Sequence, residues 1–180
     1  KEQLEMHIAG GVAVSIIILI FITIHFSGRL PWNTNWGIGL SPEVNTSAEF
    51  FKTQKISGPI FSNYDIGGYL IFHLYPQEKV FVDNRPEAYP VSFFQNEYIP
   101  MQNDETAWNK KLAKWNFNTI YFYRNDITPW AQQFLITRIT DPFWAPVFVD
   151  DYTIIFLYRN DKNAAIIKKY ELPKNMFSIK

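Results

Sequence analysis

Three short stretches carry side chains able to do chemistry. FSNYD, residues 61–65, presents Asn63, Tyr64 and Asp65 just ahead of Gly67-Gly68, and VDNRPE, residues 82–87, presents Asp83, Asn84, Arg85 and Glu87. A third, YRND at 123–126, adds Arg124, Asn125 and Asp126. Carboxylates, amides and a guanidinium without a nucleophile or a metal set favour recognition of a polar ligand, such as a sugar, a peptide or a phosphate group. Arg85 can fork onto an anion and tyrosine rings can stack on a ligand face. Each set also has a purely structural use. Asp65 can cap a helix, Asp83 and Arg85 can pair in the interior, and the third set can be a solvated turn.

Familiar catalytic patterns are missing. No GxGxxG or GxxxxGK[ST] occurs, so no motif specifies a nucleotide cofactor, and Gly67-Gly68 suits close helix packing better than a phosphate cradle. There is no GxSxG elbow, and His7, His25 and His73 are too dispersed for a zinc site or a triad. His73 reads as a core residue on an apolar helix. Asp150-Asp151 is explained by a hairpin turn more readily than by a cation, and the Asn45-Thr46-Ser47 sequon falls in an expected helix.

The elements that must position these residues are legible from pattern. Ser41-Pro42-Glu43 reads as a helix start, with a helix over about 42–55. PIFSN is a short strand ending at Asn63, Ile66 to Leu74 an apolar helix that Asp65 is placed to cap, and KVFVD at 79–83 a buried strand ending in an acid. DETAWNKKLAKW, 104–115, is a helix with acids first and lysines last, leading into the strand NTIYFYRND. Thr128-Pro129 opens another helix to about Ile139, and PVFVDD with YTIIFLYRN forms an antiparallel hairpin. The expected fold is α/β: a small three-layer sandwich with a mostly parallel sheet and an edge hairpin, preceded by one transmembrane helix. In that arrangement the three polar sets converge at the carboxyl ends of the strands, where open α/β sheets collect ligands.

The transmembrane helix is read from IAGGVAVSIIILIFITIHF, residues 8–26, which holds no Asp, Glu, Lys or Arg. Its 19 residues rise roughly 28 Å, close to the thickness of a hydrocarbon core. Small residues at Ala9/Ala13 and Gly11/Ser15 give it a face on which another helix can pack. Trp32 and Trp36 suit an aromatic belt, and His25 an interfacial position. Residues 1–30 are thus a membrane helix with flanks, 31–40 a juxtamembrane linker, 41–162 an α/β domain and 163–180 a tail. The lack of Met at position 1 suggests a C-terminal part of something longer, or a processed product. Bulk composition agrees with one compact domain: 180 residues, 47% apolar, and 17 basic side chains matched by 17 acidic ones, which argues against a nucleic-acid partner. Cysteine is absent, which excludes disulfides and thiolate chemistry.

The central thirty residues, IFSNYDIGGYLIFHLYPQEKVFVDNRPEAY, resemble the C-terminal end of bacterial polytopic membrane proteins of the GT-C glycosyltransferase type, similar to polyprenyl-phosphate-dependent mannosyltransferases. The residues carrying the resemblance are Phe61, Gly67, Gly68, Tyr69, Leu70, Val80, Phe81, Val82, Asp83, Asn84 and Arg85, with Ser62 interposed before Asn63. A more remote likeness is to the catalytic subunit of oligosaccharyltransferases. Asn63-Tyr64-Asp65-Ile66-Gly67 stands where that family has W-W-D-Y-G, and Val82-Asp83-Asn84 echoes its V-x-D-N; both tryptophans are replaced here. The resemblance implies that this strand-to-helix corner faces the acceptor side of a membrane active site, with the catalytic acid elsewhere. It implies a non-catalytic part of a membrane glycosyltransferase, extracytoplasmic at the cell membrane. That part assists recognition of an acceptor or lipid-linked sugar beside other transmembrane helices or subunits. The alternative is a single-pass, membrane-anchored assembly module without catalytic activity.

Overall fold

The computed structural model describes residues 2–26 and 43–177, with side chains described for 10–24 and 43–177. The chain divides into two compact units, Lys1–Pro42 and Glu43–Lys180. The expected linker at 31–40, Trp32, Trp36, the helix start at Ser41-Pro42 and the His25 side chain lie outside the described residues.

The first unit contributes one helix, α1 (Glu2–Phe26). Ser15 and Thr23 return their hydroxyls to the carbonyls of Gly11 and Leu19, so both polar side chains are satisfied within the helix. Its apolar side chains, including Ile16, Ile17, Leu19 and Ile20, are exposed. The described side chains, 10–24, amount to about 22 Å of helix, against the roughly 30 Å of a hydrocarbon core. Among the described residues no helix is long and apolar enough to cross a membrane. The transmembrane reading of residues 1–30 therefore rests on the sequence of 8–26.

The second unit is mixed α/β. Its elements in chain order are α2 (Thr46–Thr53), β1 (Ile60–Ser62), α3 (Gly67–Leu74), α4 (Val91–Phe93), α5 (Ile99–Asn103), α6 (Glu105–Trp115), β2 (Thr119–Tyr123), α7 (Pro129–Thr140), β3 (Trp144–Val149), β4 (Thr153–Tyr158) and α8 (Ala164–Tyr170). The sheet order is β1-β2-β4-β3, with β1 parallel to β2 and the other two pairings antiparallel. The expectation of a mostly parallel sheet is thus corrected: the sheet is mixed, and the hairpin enters through β4 beside β2. The reason is in the strands themselves. TIIFLY is apolar on both faces and is buried from Thr153 to Leu157, which suits an inner strand, whereas β3 carries Pro146 and an irregular register, which suits an edge.

The expected strand at 79–83 is corrected too. It reaches β1 through one bridge, Ile60 to Val80. Beyond that point its polar groups go to side chains. Ser62 Oγ donates to Val82 O at 3.3 Å, and Asp83 N–H donates to the Tyr89 hydroxyl at 3.1 Å. With the Val82 carbonyl and the Asp83 N–H so engaged, the pairing with β1 stops at Val80.

Both faces of the sheet are covered. Phe61, Ile120, Phe122, Ile154 and Phe156 point to one face with Trp108 of α6 and Phe134 of α7. Ile60, Tyr121, Ile155 and Leu157 point to the other with Phe51 of α2, Leu70 of α3 and Ile167 of α8. This is the period-two alternation of strands buried on both sides. Phe61 sits among six rings, Phe81, Tyr98, Trp108, Phe117, Phe122 and Phe134, at centroid distances of 5.1–6.4 Å, which accounts for much of the aromatic content. Residues after 162, expected as a tail, contribute α8, whose Ile167 is buried in the second core. Arg138 of α7 is 1% exposed and is paired with Asp141 at 2.6 Å and with Glu105 of α6, its guanidinium lying over Trp108. A buried cation so placed ties α7 to α6.

Local signals explain the helix ends. Asp104 caps α6, its carboxylate accepting from Ala107 N, and Asn116 closes it in the left-handed conformation at φ 51. Thr128-Pro129 opens α7 as expected. Asp150 Oδ1 accepts from Tyr152 N, Thr153 N and Thr153 Oγ1, so this carboxylate builds the hairpin turn.

Candidate functional site

The carboxyl ends of the two parallel strands are spliced by one side chain. Asn63 is fully buried; its Oδ1 accepts from Tyr123 N at 2.9 Å and its Nδ2 donates to Tyr123 O at 3.2 Å and to Asp126 Oδ2 at 2.9 Å. The amide extends the β1–β2 pairing by one side-chain rung after β1 has turned away, and it fixes Asp126. The other oxygen of Asp126 accepts from Thr128 N at 2.9 Å and Thr128 Oγ1 at 2.7 Å, joining β2 to the start of α7.

After Asn63 the chain makes a 3-10 turn, Tyr64–Ile66, and continues as α3. Asp65 does not cap that helix: no side-chain cap bond forms at its start, and Asp65 is exposed instead. The turn is held from behind, because Tyr64 N donates to the Tyr98 hydroxyl at 2.9 Å. Gly67 permits the packing expected of it. A Cβ there would lie 2.3 Å from Val82 O and 2.4 Å from Asp83 Cα.

Asp83 and Arg85 form a pair. Arg85 Nε and Nη2 reach the Asp83 carboxylate at 2.8 and 2.7 Å, Arg85 N adds a bond at 3.1 Å, and the Tyr89 hydroxyl donates at 3.1 Å. The Arg85 hydrogen bonds, with help from Tyr89, hold the buried Asp83 carboxyl below the usual carboxylate range despite its burial. The same pair raises the Arg85 guanidinium above its ordinary value. Asn84 and Glu87 are exposed on this corner. The third polar set divides: Arg124 Nη1 and Asn125 Nδ2 donate to Asp150 O and Asp151 O, bracing the hairpin turn, and only Asp126 joins the strand ends.

Above these strand ends lies a cleft of about 260 Å³, lined by Tyr64, Asp65, Pro86, Phe94, Tyr98, Ile99, Asp126, Thr128 and Trp130. Tyr64, Phe94, Ile99 and Trp130 are half-buried, each with part of its surface packed on the aromatic core. The Tyr64 and Phe94 rings meet edge to face at 5.9 Å. Desolvation, and after it the Asp126 carboxylate, push the Asp65 carboxyl above its ordinary range. The Tyr64 phenol is pushed up by desolvation and then by Glu87, Asp65 and Asp83.

Of the residues singled out from the sequence, Tyr64 and Asp65 line the cleft and Asn63 supports it from below. Asp83, Asn84, Arg85 and Glu87 build the neighbouring corner that carries Pro86 into the rim. Sequence reasoning missed Phe94, Tyr98, Ile99, Thr128 and Trp130. The first three lie on a helical run, 91–103, interrupted by a π turn at Phe94–Tyr98 that spoils the 3.6-residue spacing. Trp130 follows the Thr-Pro helix start, the one local signal that could have pointed to it. His73 is half-buried, its ring 4.4 Å from Tyr69 and 4.8 Å from Phe72, with its pKa lowered by desolvation and then by Lys52. Among the described residues no group of three or more metal-binding side chains converges.

No family model, curated protein or solved structure matches the chain. The functional reading rests on the chemistry of the cleft.

Proposed function

We propose that the domain of residues 43–177 is a recognition module that binds one sugar ring in the cleft above β1 and β2, and does so at a membrane. In this reading it is a non-catalytic part of a GT-C-like glycosyltransferase that presents an acceptor or lipid-linked sugar. The observation that carries it is the pairing of aromatic walls, Tyr64, Phe94 and Trp130, with the Asp65 carboxylate and the Thr128 hydroxyl oxygen, while Asp126 anchors the floor. Pyranoses offer an apolar C–H face to a ring and hydroxyls to carboxylates. At about 260 Å³ the cleft falls just below the roughly 300–1,000 Å³ of sites for drug-sized ligands, the scale of a single ring.

Support for the membrane setting comes from the uncharged run at 8–26 and the exposed apolar surface of α1. Saturation-transfer NMR on the chain in nanodiscs, with methyl α-mannopyranoside as probe, tests the reading. Transfer is expected to the C–H protons of one sugar face and is lost in Trp130→Ala at an unchanged thermal midpoint. Absence of transfer from any neutral pyranoside, or transfer undiminished in the variant, refutes it. The second reading, an assembly module, is favoured by Phe72 and Tyr75, which are 78% and 62% exposed on and after α3. Such rings, bare on a folded surface, suit a protein partner.

A further inference from the structure

The charge lining the cleft is of one sign. Among the described residues its carboxylates are Asp65 and Asp126, and no Lys, Arg or His side chain lines it. The nearest arginine in sequence, Arg85, is committed through Nε and Nη2 to Asp83. Asp126 is committed as well, to Asn63 and Thr128. Asp65 differs: it forms no hydrogen bond or ion pair among the described residues. Its carboxylate is partly desolvated and repelled by Asp126, with no cation beside it among the described residues. The rings of Tyr64, Phe94 and Trp130 line the same cleft, and an aromatic face is a surface on which a cation is held. Phosphate, carboxylate and sulfate groups are all disfavoured in such a space, and a cation is favoured on every count.

We propose that the sugar this cleft takes carries a free, protonated amino group, which pairs with Asp65 against the rings of Tyr64 and Trp130. The inference rests on the sugar-binding reading above and deepens it. If the ligand is lipid-linked, its phosphate lies outside the cleft. The contact is non-covalent: the ammonium supplies the donor that Asp65 lacks, and Asp126 stays with Asn63 and Thr128.

The test is a calorimetric titration of the chain in nanodiscs, repeated over a pH series from mildly acidic to neutral. The probes are methyl glucosaminide, its N-acetyl derivative, methyl glucoside and ethylammonium. The glucosaminide is expected to bind roughly tenfold tighter than the N-acetyl sugar and the glucoside, the scale of one cation–π and ion-pair contact. In Asp65→Asn, checked for an unchanged thermal midpoint, the ratio of glucosaminide to glucoside affinity collapses to parity. Equal binding of glucoside and glucosaminide to the wild type overturns the amine inference and leaves the sugar reading standing. Retention of the advantage in Asp65→Asn also overturns the inference. Ethylammonium binding as tightly as the glucosaminide overturns the sugar reading and the amino-sugar inference with it.

Discussion

Replacing Gly67 and Gly68 separately by alanine tests how the strand-to-helix corner is built. At Gly67 the added methyl meets Val82 O at 2.3 Å, Asp83 Cα at 2.4 Å and Asp83 Cβ at 2.7 Å. Two of these are backbone atoms, so the segment itself must retreat by about 1 Å to reach ordinary contact at 3.4 Å. Overpacking of this kind costs about 1–3 kcal/mol. Helix propensity returns less than ~1 kcal/mol, because Gly67 is the first residue of α3 rather than an interior one. At about 4 °C per kcal/mol for a domain of this size, Gly67→Ala should lower the thermal midpoint by several degrees. It should also loosen the Asp83–Arg85 pair, visible as a carboxyl pKa that moves back toward the ordinary value. At Gly68 the methyl meets only Asn84 Oδ1, at 3.0 Å, on an exposed side chain that can swing away. Gly68→Ala should be neutral or stabilising by up to ~1 kcal/mol. Differential scanning calorimetry of the two variants decides the matter, and a Gly67→Ala protein as stable as Gly68→Ala refutes the close-packing account.

Asn63→Ala leaves the Tyr123 N–H and one Asp126 oxygen without their partner inside a buried corner, and should cost about 2–3 kcal/mol in urea unfolding. Sugar affinity should fall with it, since Asp126 and Thr128 lose their anchor. The depressed folded-state pKa of Asp83 contributes stability that is present above the unfolded carboxylate value of about 3.9 and is lost as pH falls through the folded value. Arg85→Gln should flatten that acid limb when unfolding midpoints are compared across mildly to strongly acidic pH. The raised pKa of Asp65 works in the opposite sense, opposing folding once the group ionises, so Asp65→Asn should be as stable as wild type or slightly more so near neutrality.

Much of the second unit could be read from pattern. The acids-first, lysines-last order of 104–115, the Thr128-Pro129 start and the two-sided apolar run of β4 are local signals, and local signals decide helix ends and buried strands. The 79–83 segment misled because KVFVD has strand composition, yet its fate is set by side chains distant in sequence: Ser62, Gly67 and Tyr89 take the contacts a ladder would need. The parallel sheet misled because the hairpin reads as a single edge unit, although the two-sided apolar run of β4 and Pro146 of β3 mark β4 as the strand that enters beside β2. Within the site, Asn63, Tyr64 and Asp65 stood out for their types and spacing. Asn63 nevertheless serves as a splice, Asp65 as the exposed acid, and the walls come from 94–99 and from Trp130, whose aromatic residues look like ordinary core in the sequence.

The most direct measurement is a backbone amide map of the chain in nanodiscs, titrated with methyl glucosaminide. The account predicts that the largest shifts fall on Tyr64, Asp65, Thr128 and Trp130, with Asn63 and Asp126 following. Shifts concentrated instead at the opposite end of the sheet, around Asn109, Asn116, Asn118 and Asn160 where a second hollow lies, would contradict it.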